Sequence, residues 1–225
     1  AGSACSAEWI IVRRGLRLSI DGGEGGGVGE RTGGQGLCAR ARFRHRQSPI
    51  SEALKEMTAL LKPTHDEERY RPNVGLALFG RDGRVFLGQR LKTPPPFQWQ
   101  MPQGGVDKGE APDEAALREL EEEVGIGPGL VDLLDQTVDW LYYDFPPEIQ
   151  SRLGKRDKYR GQKQKWFAFR YLGSDSDIQI QTAHPEFTAW RWGTLEEAPT
   201  LVIPFKRAIY QEIVRRFAPY ARPLE

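Results

Sequence analysis

Cysteine is nearly absent from this chain. Only Cys5 and Cys38 occur among 225 residues, which excludes a disulfide framework and a four-cysteine zinc site. No run approaches 18 apolar residues, so no segment has the make-up of a membrane-spanning helix. Net charge is small as well: 32 basic against 31 acidic residues leave +1 and no strong overall field to draw in nucleic acid. The apolar share is a modest 39%, whereas glycine is abundant at 25 residues. The length suits one domain, or one domain with a tail.

These averages hide a division near residue 66. Residues 1–66 hold 11 of the 25 glycines, both cysteines, and 10 basic against 7 acidic groups. The 159 residues that follow carry 22 basic and 24 acidic groups, a net of −2. Asp21–Gly36, DGGEGGGVGERTGGQG, cannot bury a core and is expected to be disordered. Arg40, Arg42, Arg44 and Arg46 form a basic patch after it. Glu8, Asp21, Glu24 and Glu30 argue against a targeting peptide. A basic RNA-contacting tail and a dispensable extension, with Met57 as functional start, remain as alternatives, and the extension is preferred. The division therefore predicts an extension over 1–66 and a globular domain over 67–225. A domain without cysteine and a chain without a signal peptide favour a reducing cytoplasm.

Ser51–Leu61 is helix-capable and ends at Pro63. Val74–Phe79 and Val85–Gly88 read as strands joined at Arg81-Asp82-Gly83, a predicted hairpin. Leu91–Pro96 is a proline-rich loop. Gln162–Tyr171 reads as a central strand, Phe187–Trp192 as another, and Phe205–Phe217 as a closing helix. The mixture predicts an α/β sandwich.

The chemistry is concentrated in Gly104–Ile126, GGVDKGEAPDEAALRELEEEVGI. Pro112 suits a first helical position, Asp113 and Glu114 the first turn, and Gly125 a left-handed cap. Ala116, Leu117, Leu120 and Val124 are the expected contacts with a sheet. Spacings of three and four residues put Glu119 on one side of the helix with Glu122 and Glu123. Like charges held together repel, and clustered carboxylates without histidine or cysteine are hard oxygen ligands suited to Mg²⁺ or Mn²⁺. Glu110 can fold back towards the same place, and Arg118 can bridge to a neighbouring carboxylate. The bland alternative is a solvated acidic helix face.

The complete spacing favours the sharper reading. Gly104, five residues, Glu110, seven residues and then Arg118-Glu119-Leu120-x-Glu122-Glu123-x-Gly125-Ile126 meet all nine specified positions of 23 in the Nudix box, which this segment resembles. The resemblance implies a Nudix αβα sandwich, a mixed sheet between helices, and hydrolysis of a phosphoanhydride bond. It makes Glu119, Glu122 and Glu123 metal ligands and catalytic groups together with Arg118, and makes Gly104, Glu110 and Gly125 structural positions of the box. Which glutamate takes the proton stays open.

Flanking segments narrow the resemblance. Tyr70–Gly75, Trp99–Gly105, Gly161–Phe167, Pro185-Glu186-Phe187 and Trp190-Arg191-Trp192 look like bacterial RNA pyrophosphohydrolases and the similar diadenosine polyphosphate hydrolases, over about residues 69–217. On that likeness Glu186 is a further metal ligand, and Arg71, Arg90, Phe205 and Lys206 bind substrate; Lys165 is added to them from its place on a strand. Lys163 and Lys165 alternate with glutamine, so one side of their strand is expected to face the cleft. Trp166, Trp190 and Trp192 are read as core, and His184 receives no role. The implied substrates are 5′-triphosphorylated RNA, converted to a 5′-monophosphate end open to RNA degradation, or diadenosine tetraphosphate, split to ATP and AMP. A non-catalytic nucleotide sensor is disfavoured because no carboxylate of the box is lost. The segment from Arg90 to Trp99 and the charged insertion Pro146–Tyr159 depart from the simplest pattern and both are placed to border the cleft.

Overall fold

The computed structural model describes residues 61–93, 95–153 and 158–224. The glycine run, the arginine patch and residues 51–60 lie outside them. Residues 61–66, grouped with the extension by composition, belong to the folded unit. Leu61 is buried and its carbonyl accepts from the Tyr142 N–H (3.1 Å), while the Thr64 hydroxyl donates to Asp144 (2.6 Å). Packing therefore begins before the composition changes.

The expected hairpin forms from β1 (Tyr70–Phe79) and β2 (Val85–Arg90), with Phe79 opposite Val85. β1 starts four residues earlier than its apolar run because Tyr70–Asn73 pair with the central strand β7 (Gly161–Tyr171). The β1–β7 pair is parallel, and the other pairings are antiparallel. β3 (Trp99–Gln100) and β8 (Phe187–Gly193) lie along β2, and β4 (Gln103–Gly105) along β1. β5 (Val131–Gln136) and β6 (Leu141–Asp144) share β7.

Strand alternation divides the core into two layers. On one face Ala77, Phe79, Trp166 and Ala168 pack with Ile209, Tyr210, Ile213 and Phe217 of α4 (Arg207–Phe217). On the other, Val74, Leu76, Leu78, Phe167 and Phe169 pack with Ala116, Leu120 and Val124 of α1 (Pro112–Val124). Helices on both faces of a mixed sheet make the αβα sandwich. The closing helix begins at Arg207 because Pro204–Lys206 form a separate 3₁₀ turn. Two short helices complete the chain, α2 (Pro147–Leu153) within the charged insertion and α3 (Ala198–Leu201). Trp166 is fully buried, and Trp190 stacks on Phe86 at 5.6 Å, so both serve the core. Trp192, half-buried, also packs against Phe86, at 6.3 Å.

Candidate active site

Helix α1 is built as its composition dictates. Pro112 opens it, the Glu114 carboxylate accepts the Ala111 N–H (3.1 Å), and Gly125 ends it at φ 74°. Anchored through Ala116, Leu120 and Val124, it turns Glu119 and Glu123 inward, where both are buried, and leaves Glu122 exposed. Gly104 makes room for this arrangement. A Cβ there would fall 1.7 Å from the Glu119 carboxyl carbon.

Arg118 organises the acids around it. Nε and Nη2 donate to the two oxygens of Glu110 (2.7 and 2.9 Å), and Nη1 donates to Glu119 (2.8 Å) and Glu122 (3.0 Å). Nη2 also donates to the Gly105 carbonyl (2.8 Å). All five donors of the guanidinium are thus engaged. Arg118, grouped by sequence with the catalytic residues, spends every donor on these neighbouring oxygens. Glu110 also accepts the Asp107 N–H (2.8 Å) and so closes the loop before the helix. The Arg118 bond holds the Glu110 carboxyl below the usual range.

Glu186 comes to the same pocket from the loop before β8. The pocket is lined by Glu119, Glu122, Glu123 and Glu186, with Thr182, Ala183 and His184 as its remaining wall. His184, to which sequence gave no role, is therefore a neighbour of the acids. Burial, then the charges of Glu186 and Glu119, push the Glu123 carboxyl well above its ordinary range. Burial also raises that of Glu119, against the opposing pull of Arg118.

A cationic and aromatic group adjoins this pocket on the α4 side of the sheet. Lys206 is buried, and its ammonium donates to Gln103 Oε1 (2.7 Å). The Gln103 backbone N–H donates to Glu123 Oε2 (3.1 Å). Arg90 follows a register shift between Gln89 and Arg90 and reaches 3.9 Å from Glu186. Its N–H donates to the Gln98 carbonyl (2.7 Å), which ties the residue before β3 to the end of β2 at this point. Arg71 is exposed and extends over Gly105, where an added Cβ would lie 2.6 Å from its Nη2. Phe205 is half-buried with its ring 5.6 Å from that of Tyr143.

Lys165 is placed elsewhere. It shares the strand face of Phe167, the α1 side, and donates to the carbonyls of Thr137 (3.1 Å) and Val138 while lying over the Trp140 ring. Lys163 lies over the same ring and 3.7 Å from Glu67. The side of the strand turned towards Gln103 and Tyr143 is the glutamine side. Gln164 donates to Asn73 and Gln103, and Gln162 accepts from Tyr143 (2.5 Å). Gln103, Gln164 and Asn73 enter the sequence reading only as members of flanking motifs and Tyr143 not at all, because an uncharged amide or phenol carries no chemical signal until its partners are known.

The donor set suits a divalent cation. Four carboxylates line one pocket, burial first and then mutual repulsion raises two of their pKa values, and hard oxygen ligands match a hard ion. Among the described residues, no three acids or histidines are already closed around one point. Arg118 instead draws Glu119 and Glu122 to itself. Charge relief on the acids and release of part of that clamp would accompany metal entry.

Comparison with known proteins identifies the family. Residues 69–217 match the family model described as the NUDIX domain. The chain is 50% identical over 158 residues to the RNA pyrophosphohydrolase of Caulobacter vibrioides (strain NA1000 / CB15N), covering 70% of this chain and 91% of that protein. It is 52% identical over 151 residues to the RNA pyrophosphohydrolase of Cereibacter sphaeroides (strain ATCC 17029 / ATH 2.4.9), covering 67% and 92%. A crystal structure of a C. elegans Ap4A hydrolase binary complex aligns with a TM-score of 0.48 at 22% identity, covering 66% of this chain and 98% of that one. With the family model matched over most of the folded region and every position of the box filled, this chain belongs to the NUDIX domain family.

Proposed function

We propose that the chain is a Mg²⁺- or Mn²⁺-dependent RNA pyrophosphohydrolase that converts a 5′-triphosphate end to a 5′-monophosphate. The observation that carries this reading is the junction at Gln103, which joins the carboxylate pocket at Glu123 to the cationic group at Lys206. Relatives about half identical to this chain bear the name RNA pyrophosphohydrolase, which supports the same substrate class.

The residues divide the work. Glu119, Glu122, Glu123 and Glu186 would hold the cation. When bound, it neutralises phosphate charge and lowers the pKa of the attacking water. One of the box glutamates takes that water's proton as the new P–O bond forms and the phosphoanhydride bond breaks. Arg71, Arg90 and Lys206 face the phosphate oxygens, and Phe205, braced by Tyr143, offers a face on which the first base stacks.

The test compares initial rates on triphosphorylated RNA and on diadenosine tetraphosphate with either metal. The RNA is expected to be the better substrate, with a 5′-monophosphate end as product. Efficient splitting of the dinucleotide to ATP and AMP with the RNA left intact would overturn the proposal in favour of a dinucleoside polyphosphate hydrolase.

Lys206 supplies a pH dependence. Burial, reinforced by Arg90 and opposed by Glu123 and Glu186, lowers its pKa from 10.5 to about 7. Between those two values the unfolded chain holds a proton that the folded chain has shed, so this group's contribution to stability rises as pH rises from about 7. RNA binding runs the other way, because the ammonium that faces phosphate is lost over the same range. Lys206→Met is therefore expected to raise stability at neutral pH by roughly 1–3 kcal/mol while weakening RNA binding. Gln103 Oε1 keeps its Gln164 partner in that variant. Thermal melts and KM values across pH check both signs. An unchanged or lower melting temperature at pH 6.5 would contradict the stability half.

A further inference from the structure

A chain of buried amides runs beneath the substrate groups, and its direction is set at one end. The indole Nε1 of Trp166 donates to Gln164 Oε1 (3.0 Å). An indole N–H can only donate, so the Gln164 amide must turn its oxygen towards Trp166 and its NH₂ outward. That NH₂ donates to Asn73 Oδ1 (2.8 Å) and to Gln103 Oε1 (3.1 Å). The Gln103 amide is fixed in turn, with Nε2 donating to the Tyr210 hydroxyl (2.7 Å). That hydroxyl also accepts the Met101 backbone N–H (3.1 Å). Gln103 Oε1 is left facing the Lys206 ammonium at 2.7 Å. A reversed Gln103 amide would set its NH₂ against both the ammonium and the Gln164 NH₂, two donor–donor contacts in a buried site. Through its backbone N–H the same residue holds Glu123.

We propose that Gln103 is a positioning residue that aims the Lys206 ammonium at substrate phosphate beside Glu123, its amide polarity being set by Trp166 through Gln164. This rests on the roles given above to Lys206 and Glu123. Two anchors of one residue then keep phosphate-binding cation and metal-binding carboxylate in register. They separate on mutation, because a side-chain change removes the hold on Lys206 and leaves the backbone N–H on Glu123.

The experiment is a double-mutant cycle on the full chain, using triphosphorylated RNA with saturating Mg²⁺ and thermal melts of every variant. Gln103→Leu is expected to raise KM roughly ten-fold with kcat kept within about three-fold, the scale of losing one hydrogen bond to a charged group. In the Lys206→Met background the same substitution is expected to change KM by less than about two-fold, since residues that act as one unit are not additive. If Lys206→Met raises KM but Gln103→Leu adds its full effect on top, the positioning role is wrong and the substrate role of Lys206 stands. If Lys206→Met leaves KM unchanged, both fall. A fall in kcat at constant KM would also overturn the positioning role. Should Gln103→Leu fail to fold, Gln164→Met reads the same coupling. It spares both Gln103 anchors but removes one of the two donors that fix the amide, so KM should rise about three-fold and only where Lys206 is present. An equal rise in the Lys206→Met background would refute the relay.

Discussion

Glu123→Gln is expected to lower kcat for triphosphorylated RNA by about three orders of magnitude, equivalent to roughly 4 kcal/mol of transition-state stabilisation, without loss of the fold. Glu123 is only 4% exposed. The amide that replaces it is nearly isosteric, and its carbonyl can still accept the Gln103 N–H. What disappears is the charge. In the free protein that charge is unfavourable, raised in pKa by burial and by Glu186 and Glu119, so the melting temperature should hold or rise. The substitution therefore separates stability from chemistry in one step. Binding of Mn²⁺, followed by water-proton relaxation, should weaken in parallel and gives a readout independent of turnover. If activity survived both Glu123→Gln and Glu122→Gln, the assignment of the box carboxylates to the metal would be wrong.

Gly104→Ala is expected to cost about two orders of magnitude in activity and little stability. The added methyl would stand 1.7 Å from the Glu119 carboxyl carbon and 1.8 and 2.0 Å from its oxygens, separations no folded structure tolerates. The atoms it meets are the far end of a side chain, so Glu119 moves and the strand does not. Its bond to Arg118 breaks with the move, and Arg118 keeps Glu110 and Gly105 as partners. The penalty therefore falls on the carboxylate pocket, with about 1 kcal/mol of strain left in the fold. A variant with unaltered kcat and Mn²⁺ affinity would show that the Glu119 position is not needed. One that fails to fold would place the constraint in the sheet instead.

Local features were legible in the chain itself. The limits of α1 follow from Pro112 and Gly125, and its two faces from the spacing of Ala116, Leu120 and Val124 against Glu119, Glu122 and Glu123. All of these depend on residues within one or two turns of each other. The hairpin at Arg81–Gly83 is local in the same sense. The edges of elements were less legible. β1 begins at Tyr70 and not Val74 because β7, some ninety residues away, pairs with Tyr70–Asn73. The place of Leu61 was hidden for a similar reason, since it is buried by partners that composition cannot reveal.

The amino-acid sequence by itself determined the family, the carboxylate cluster and the helix that carries it, because the spacing of those residues on a helix is set by a local period. The tertiary structure decided which flanking groups join them. Along β7, Lys163 and Lys165 occupy one face and Gln162 and Gln164 the other, and charge alone favoured the lysines. Both faces of the sheet are covered by helices, so alternation within the strand cannot say which face carries the cleft. Pairing of β1 with β4 and β7, together with the packing of α4, turns the glutamines towards Gln103 and Lys206 and sends Lys165 to the opposite side. That choice depends on contacts between segments distant in the chain, and no local period encodes it.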